Sequence, residues 1–223
     1  MSRFGQKPRG DQSRPNAEPA LAFRDVSKSF SLPKRRLQAL HGVSFQIPRG
    51  QVAGLIGPDG AGKTTLMRLA ACLLQPDDGD ITVLDIDARQ APLTVQTSVG
   101  YMPQRFGLYE DLTVQENLDL YADLQGVPPA ERADRFAELM KMTDLGAFTD
   151  RLAGRLSGGM KQKLGLACTL VRFPRLLLLD EPTVGVDPVS RRELWAIVDR
   201  MVASEDMTVL LSTAYLDEAE RCD

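Results

Sequence analysis

The fold of this chain is decided by the stretch Gly57-Pro58-Asp59-Gly60-Ala61-Gly62-Lys63-Thr64-Thr65. A run typical of a buried parallel strand precedes it at residues 51–56, and a run typical of a helix follows at residues 66–74. Its glycines let backbone N–H groups turn inward around phosphate oxygens, which also meet the positive end of the helix dipole. Lys63 can reach the β and γ phosphates, and the Thr64 hydroxyl can bind Mg²⁺. The stretch therefore predicts a nucleoside triphosphate site, with a plain glycine-rich turn as the alternative.

Composition limits the classes of protein to which this chain can belong. The chain has 223 residues, 43% of them hydrophobic, and a formal net charge of −3. This length suits one large α/β domain or two small ones. The acidic balance argues against a dedicated nucleic-acid binder, so no nucleic-acid partner is expected. No apolar run approaches the roughly 18 residues of a membrane span, so any membrane role is expected to come through a partner.

The cysteines predict a reducing compartment. Cys72, Cys168 and Cys222 are odd in number and lack metal-ligand spacing. We therefore expect small core residues in a cytoplasmic protein rather than a redox or metal site.

Composition and periodicity divide the chain into parts. The expected parts are a disordered extension at 1–19, an antiparallel β part at about 20–50, a nucleotide-binding core at about 51–104 and 172–223, and a helical subdomain at about 105–171. The last of these rests on helical periodicity with no strands between the helices, which is typical of an inserted subdomain. Its first helix is predicted to begin with Thr113 as N-cap and Glu116 completing a capping box.

Two adjacent acids supply the second half of the predicted site. The apolar run at residues 176–179 ends in Asp180 and Glu181, and only a central parallel strand tolerates apolar residues on both faces. Asp180 would emerge at the carboxyl end of that strand, where open α/β sheets bind ligands, and is expected to hold Mg²⁺. Glu181 could act as the general base for the attacking water, a role worth about 10²–10⁴ in rate. The alternative is a solvated strand end.

A second helix start also suits a phosphate. Ser157, Gly158 and Gly159 open a predicted helix, so Ser157 can cap it while the glycines allow close backbone approach. One triphosphate does not need two such sites within a protomer. We therefore expect this helix start to cover a nucleotide held by a second molecule, with an ordinary capped helix as the alternative.

The order and spacing of these motifs resemble the ATP-binding-cassette (ABC) ATPase family. The resemblance runs from about residue 21 to the end of the chain and rests on 57–64, Gln104, 156–160, 176–181 and 184–187. The amino-acid sequence of several stretches is most similar to that of the first cassette of tandem-cassette multidrug exporters of the YbhF type. The resemblance implies an α/β fold: a P-loop NTPase with a RecA-like core, a small antiparallel β subdomain and an inserted α-helical subdomain.

The resemblance also implies a role for each site residue. The nucleotide-binding set is Phe30, Gly57, Pro58, Asp59, Gly60, Ala61, Gly62, Lys63, Thr64 and Thr65. The catalytic set is Glu181, Gln104 and Lys63, and the metal set is Thr64, Gln104 and Asp180. Phe30 is the best candidate for stacking on adenine, with Phe23 as the alternative. Ser157, Gly158 and Gly159 form the signature that acts in trans, and Asp187 is the D-loop aspartate that communicates between two sites.

The implied cofactors are ATP and Mg²⁺, and the implied partners are a second cassette, covalent or separate, and transmembrane permease subunits. The family docks its permease on the residues that follow Gln104, which here include Phe106, Leu108, Tyr109 and Leu112. Packing within the helical subdomain explains those four equally well. The expected location is the cytoplasmic face of a bacterial inner membrane.

The sequence departs from the family at the histidine after the last strand. Ala214 stands there, and the only histidine, His41, falls in the early β region. Alanine donates no side-chain hydrogen bond, so we expect a site that binds ATP well and hydrolyses it roughly 10²–10³ times more slowly. Asp59 is a second departure, since asparagine is commoner there. The end at Asp223 is expected to mark a fragment of a longer chain or a short domain.

The expected function is the energy-coupling ATPase of an exporter. The rivals are a soluble ABC protein of the ribosome, a DNA-repair or chromosome-organising ATPase, and a nucleotide-dependent regulatory module that does not turn over. The first rival needs two cassettes and a basic segment, and the second needs a long coiled-coil insertion. Co-purification with a permease, ribosomes or nucleic acid discriminates among them.

Overall fold

The computed structural model describes residues 18–33, 35–105, 107–205 and 207–222. Its strands are β1 (Leu21–Leu32), β2 (Arg35–Ile47), β3 (Val52–Ile56), β4 (Asp78–Val83), β5 (Ile86–Asp87), β6 (Val99–Met102), β7 (Leu176–Asp180) and β8 (Thr208–Thr213). Its helices are α1 (Lys63–Ala70), α2 (Pro92–Ser98), α3 (Val114–Leu124), α4 (Pro129–Thr143), α5 (Gly158–Leu170), α6 (Pro188–Glu205) and α7 (Leu216–Ala219). Short 3₁₀ turns lie at Gly146–Phe148 and Ala153–Arg155.

A four-stranded parallel sheet carries the nucleotide loop. Its order is β3-β8-β7-β6, so β7 is a central strand with a parallel neighbour on each side. All five residues of β7 are buried, which explains why its sequence is apolar on both faces. The carboxyl ends of the four strands meet at one edge, and the phosphate loop and both predicted acids lie there.

A four-stranded antiparallel sheet lies beside it in the order β2-β1-β4-β5. Phe23 of β1 is buried and stacks on Phe45 of β2, with ring centroids 4.8 Å apart. The expected core range 51–104 includes β4 and β5, which join this antiparallel sheet instead. The reason is the hydrogen-bond register, in which Val83 of β4 pairs with Leu21 of β1.

Helices α3, α4 and α5 lie in the chain between β6 and β7, within the range expected for the helical subdomain. Leu118, Leu139 and Leu164 from the three helices are fully buried in one core with residues of the parallel sheet. The predicted capping box is confirmed, because the Thr113 hydroxyl accepts from Glu116 N and the Glu116 carboxylate accepts from Thr113 N. The exact boundaries of the subdomains stay a prediction, and residues 1–17 of the expected extension and Asp223 lie outside the described residues.

Two helical details differ from expectation. Helix α1 begins at Lys63, inside the predicted loop, and ends at Ala70, because Cys72 adopts a left-handed backbone with φ 53°. Helix α2 was not predicted, since only a seven-residue segment beginning at Pro92 forms it. None of the described helices is long and apolar enough to cross a bilayer. Cys168 of α5 is buried, and this burial raises the pKa of its thiol, as suits a core residue.

Candidate nucleotide-binding site

The phosphate loop, residues 57–64, joins β3 to α1. Gly62 is the N-cap of α1 and has φ 93°, a left-handed conformation that favours glycine. A Cβ at Gly62 would come within 2.9 Å of the Ala39 carbonyl oxygen, so the close approach to β2 also requires glycine. Asp59 is exposed at the outer turn of the loop, which leaves its carboxylate in solvent.

The side chain of Lys63 folds back onto the phosphate loop. Its Nζ donates to the carbonyl oxygens of Gly57 at 2.7 Å and Pro58 at 3.2 Å. It also lies 3.1 Å from Glu181 Oε1, and the two side chains are only 7% and 9% exposed. A buried ammonium is thus paired with a carboxylate at the point where the predicted terminal phosphate binds, so an incoming phosphate would compete with Glu181 for Lys63.

Asp180 faces the start of α1. It is 1% exposed, and its Oδ1 accepts from the Thr64 hydroxyl at 3.2 Å and from the Ser212 hydroxyl at 2.8 Å. Its Oδ2 lies 3.5 Å from the Tyr101 hydroxyl. A carboxylate and a hydroxyl oxygen side by side are ligands that Mg²⁺ prefers, so the Thr64 and Asp180 oxygens fit that ion.

Glu181 and Gln104 meet beside this pair. Gln104 Nε2 donates to Glu181 Oε2 at 2.9 Å, while Oε1 of the same carboxylate contacts Lys63. The three residues predicted to be catalytic are therefore brought together. Two of the three predicted metal ligands, Thr64 and Asp180, are in direct contact.

Sequence reasoning missed two neighbours of these acids. Ser212 pairs with Asp180 in the β7–β8 register, and Tyr101 lies on β6 next to β7. Burial, and next the charge of Asp180, raise the pKa of Tyr101. The position of Ser212 two residues before Ala214, at the end of a predicted strand, was the only signal in the sequence.

The predicted signature lies against the predicted D-loop. Ser157 caps α5 by accepting from Met160 N at 3.3 Å. A Cβ at Gly159 would come within 2.1 Å of Ser190 Oγ and 3.3 Å of Asp187 Oδ2. Asp187 accepts from Ser190 N at 3.0 Å and thereby caps α6. Hydrogen bonds from Ser190, with its hydroxyl first, lower the pKa of the Asp187 carboxyl. The action of both motifs across a dimer stays a prediction.

The structure distinguishes between the two aromatic residues that could stack on adenine. Phe23 is buried in the core against Phe45, so it cannot stack on a nucleotide. Phe30 is partly exposed on β1, with Lys28 Nζ 5.8 Å from its ring centroid. Phe30 therefore stays the candidate.

Ala214 follows β8 directly and is exposed. The segment around it is held by Thr213, whose hydroxyl donates to the buried Glu218 at 2.6 Å and accepts from Tyr215 N at 3.0 Å. His41 is exposed on β2, where its ring contacts Gln38, as expected for a residue outside the site.

A strand–loop–helix phosphate site that faces two acids at the end of a central parallel strand defines a phosphate-loop nucleotide-binding protein of the α/β class. The sequence model of the ABC transporter family matches residues 40–184. The chain belongs to that family and is an ATP-binding domain. The expected fold class is confirmed, and ATP-binding domains of this family are ATPases.

Two known proteins show which members of the family the chain is similar to. The chain is 62% identical over 176 residues to the probable multidrug ABC transporter ATP-binding protein YbhF of Escherichia coli, covering 79% of this chain and 30% of YbhF. It is 43% identical over 184 residues to the daunorubicin/doxorubicin resistance ATP-binding protein DrrA of Streptomyces peucetius, covering 82% of this chain and 56% of DrrA. The chain thus spans only part of either relative, and the expected similarity to YbhF is confirmed.

A solved structure supports the fold over almost the whole chain. The ATP-binding cassette MJ0796, in a dimeric post-hydrolysis state with ADP and Pi, matches with a TM-score of 0.82 at 25% identity. The match covers 91% of each chain. The nucleotide-binding fold is therefore shared with a cassette that was captured after hydrolysis.

Proposed function

We propose that this chain is the ATP-hydrolysing domain that drives a drug exporter. The observation that carries the proposal is the convergence of Lys63, Gln104, Asp180 and Glu181 at one edge of the parallel sheet. Similarity to YbhF and DrrA, whose names describe multidrug transport and drug resistance, supports export as the coupled process.

The reaction is in-line attack of water on the γ-phosphate, which breaks its bond to the bridging oxygen and releases ADP and inorganic phosphate. Thr64, Asp180 and Gln104 would hold Mg²⁺, and a bound ion would supply positive charge next to the phosphate oxygens. Lys63 exchanges the Glu181 carboxylate for a terminal phosphate when ATP binds. Glu181, released from Lys63 and still in reach of Gln104, accepts the proton of the attacking water.

The complete site requires a second cassette. Ser157, Gly158 and Gly159 stand at the start of α5, where Ser157 and Gly158 are both exposed and so accessible to an anion. In the proposed assembly this helix start covers the nucleotide of the opposite cassette, head to tail. The dimeric state of MJ0796 supports such an assembly.

The permease is proposed to dock at a groove between α2, β6 and α3. The groove has a volume of about 220 Å³, and its lining includes Leu93 and Leu124, which are 74% and 68% exposed. Tyr109 is also exposed, whereas Leu108 packs on the core that the helical subdomain shares with the parallel sheet. Phe106 lies outside the described residues. Docking at the groove would put this domain on the cytoplasmic face of a membrane.

Ala214 leads us to propose slow hydrolysis, and a substitution tests this. With ATP and Mg²⁺, we expect Ala214→His to raise the single-turnover rate by roughly 10²–10³, the effect of one added donor to transition-state charge. The double variant Ala214→His/Glu181→Gln is the matched control, because it has the new donor but lacks the base.

The outcomes separate the proposal from its rival. An increase with Ala214→His that is lost in the double variant supports a slow ATPase. ATP binding with no hydrolysis in any variant would instead favour a nucleotide-dependent regulatory module. No binding of ATP at all contradicts both.

A further inference from the structure

Ser212 touches both acids of the site through one oxygen. It is fully buried at the end of β8, directly opposite Asp180 on β7. Its hydroxyl donates to Asp180 Oδ1 at 2.8 Å and accepts from Glu181 N at 2.9 Å. A single side chain thus fixes the side chain of one acid and the backbone of the next.

Glu181 needs such support because its backbone is strained. Its φ is +51°, in the left-handed region that residues with a Cβ avoid. Such conformations cost about 1–3 kcal/mol and persist only where the surroundings impose them. Both acceptors of the Glu181 N–H group belong to Ser212, namely its hydroxyl and its carbonyl oxygen, the latter at 3.2 Å. Ser212 therefore sets the direction in which the Glu181 side chain leaves β7.

Asp180 also needs the Ser212 hydroxyl, because a buried carboxylate must be hydrogen-bonded. Thr64 and Ser212 both donate to its Oδ1. The hydroxyl of Thr64 is the one that the proposed function assigns to the metal. Ser212 is then the donor that Oδ1 of Asp180 retains, since it lies on the neighbouring strand rather than on the phosphate loop, while the Tyr101 hydroxyl stays 3.5 Å from Oδ2.

We propose that Ser212 is a positioning residue for ATP hydrolysis, which holds the metal-binding Asp180 and the base Glu181 at a fixed angle to each other. The proposal rests on the function proposed above. It predicts that loss of the hydroxyl affects metal dependence and the chemical step, while binding of the nucleotide itself is preserved.

Ser212→Ala tests the proposal, with Thr208→Val as the matched control. Thr208 is a buried hydroxyl at the other end of β8, where it accepts from Gly50 N at 2.9 Å. Both variants are placed in the Ala214→His background and also in the natural chain. The measurements are the single-turnover rate, the Mg²⁺ concentration for half-maximal rate, and the dissociation constant of ATP in the presence of a chelator.

For Ser212→Ala we expect about a tenfold lower rate, which corresponds to about 1.4 kcal/mol, and a severalfold higher Mg²⁺ requirement. Its ATP dissociation constant without metal should stay within twofold of the parent. Thr208→Val should match the parent in all three. Ser212→Cys, which keeps a weak donor of similar size, should fall between, and it serves as the test if Ser212→Ala does not fold.

Different failures have different meanings. An active parent with an equally active Ser212→Ala, or an equal loss in Thr208→Val, overturns the role of Ser212 and leaves the proposed function intact. Unchanged Mg²⁺ dependence with weakened ATP binding overturns it as well. A parent that never hydrolyses ATP overturns the proposed function itself.

Discussion

The ion pair between Lys63 and Glu181 shows how single residues prepare this site. Both side chains are nearly buried, 3.1 Å apart, and the lysine is also held by two loop carbonyls. Removing one partner of a buried pair leaves an uncompensated charge, which typically costs about 3–5 kcal/mol. In the proposed exchange of the carboxylate for a phosphate, Lys63 keeps a negative partner and Glu181 keeps Gln104 Nε2 as a hydrogen-bond donor.

At the residue scale, substitution of Gly159 tests the contact between the signature and the D-loop. Gly159→Ala should destabilise the protein by about 1–3 kcal/mol, because the new methyl group would lie 2.1 Å from Ser190 Oγ and 2.4 Å from its Cβ. Urea unfolding measures the change. Rotation of the serine side chain cannot move its Cβ, so α5 and α6 must separate.

The neighbouring glycine is the control for this substitution. A Cβ at Gly158 has no contact closer than the Gly185 carbonyl oxygen at 4.0 Å. Gly158→Ala should leave the stability unchanged or raise it by up to about 1 kcal/mol. Equal losses in both variants would mean that the contact with Ser190 is not the cause.

At the scale of elements, three helices begin at the loops for which we propose functional contacts. Helix α5 begins at the signature with the Ser157 cap, α6 begins behind Asp187, and α3 begins with the capping box after the exposed Tyr109. Buried Asn117 of α3 fixes the last of these loops, since its side-chain amide donates to the carbonyl oxygens of Tyr109 and Thr113. Helix starts thus position the loops proposed to contact ATP, the second cassette and the permease.

The capping box of α3 should give a measurable pH dependence. Hydrogen bonds from Thr113, with its backbone N–H first, lower the pKa of Glu116 below its ordinary value of 4.5. A depressed folded pKa contributes stability above pH 4.5 that is lost as the pH falls through the folded value. The unfolding free energies of the wild type and Glu116→Gln should therefore differ at pH 7 and converge in acid.

Glu116→Asp checks that the effect comes from the capping contact. It keeps the negative charge in the first turn of α3, but its side chain is one methylene shorter and so makes a weaker contact with Thr113 N, which Glu116 contacts at 2.7 Å. Its stability should depend less on pH between 3 and 5 (about the range in which carboxyls titrate) than that of the wild type. An identical pH profile would assign the effect to charge alone.

At the scale of the whole molecule, one sheet edge contains half of the proposed site. Lys63, Asp180, Glu181 and Gln104 lie there, whereas the signature begins α5 of the helical subdomain, with Ser157 and Gly158 exposed. In the proposed assembly, two copies placed head to tail bring each signature to the opposite phosphate loop. ATP would then bind between the copies and hold them together.

Ser157→Asp tests this assembly. Aspartate caps a helix as well as serine does, so the monomer should fold and bind ATP as before. Unit charges about 4 Å apart repel by about 4 kcal/mol at an effective dielectric constant of 20, so the dimer formed with Mg²⁺ and ATP should weaken by more than about 100-fold. Light scattering after size-exclusion chromatography measures the mass.

Ala130→Asp is the control for the added charge. Ala130 is exposed in the first turn of α4, in the helical subdomain but outside the signature. This variant should dimerise like the wild type. A dimer that survives Ser157→Asp would contradict the head-to-tail assembly, while loss in both variants would point to net charge.

The sequence by itself determined the phosphate loop, the acidic strand end and the capping box. These features depend on neighbours in the chain: glycines that permit the loop at 57–62, the all-apolar β7, and Thr113 three residues before Glu116. Local backbone sterics and hydrogen-bonding reach are sufficient to fix them. The same local signals also place Ala214 directly after the last strand.

Only the tertiary structure decided which residues meet across the sheet. It paired β4 with β1, removed Phe23 from the adenine candidates by burying it against Phe45, and brought Ser212 to Asp180. These contacts join residues far apart in the chain, so they follow from strand order and register, which periodicity does not specify. The positive φ of Glu181 belongs to the same class, because its N–H partner lies on another strand.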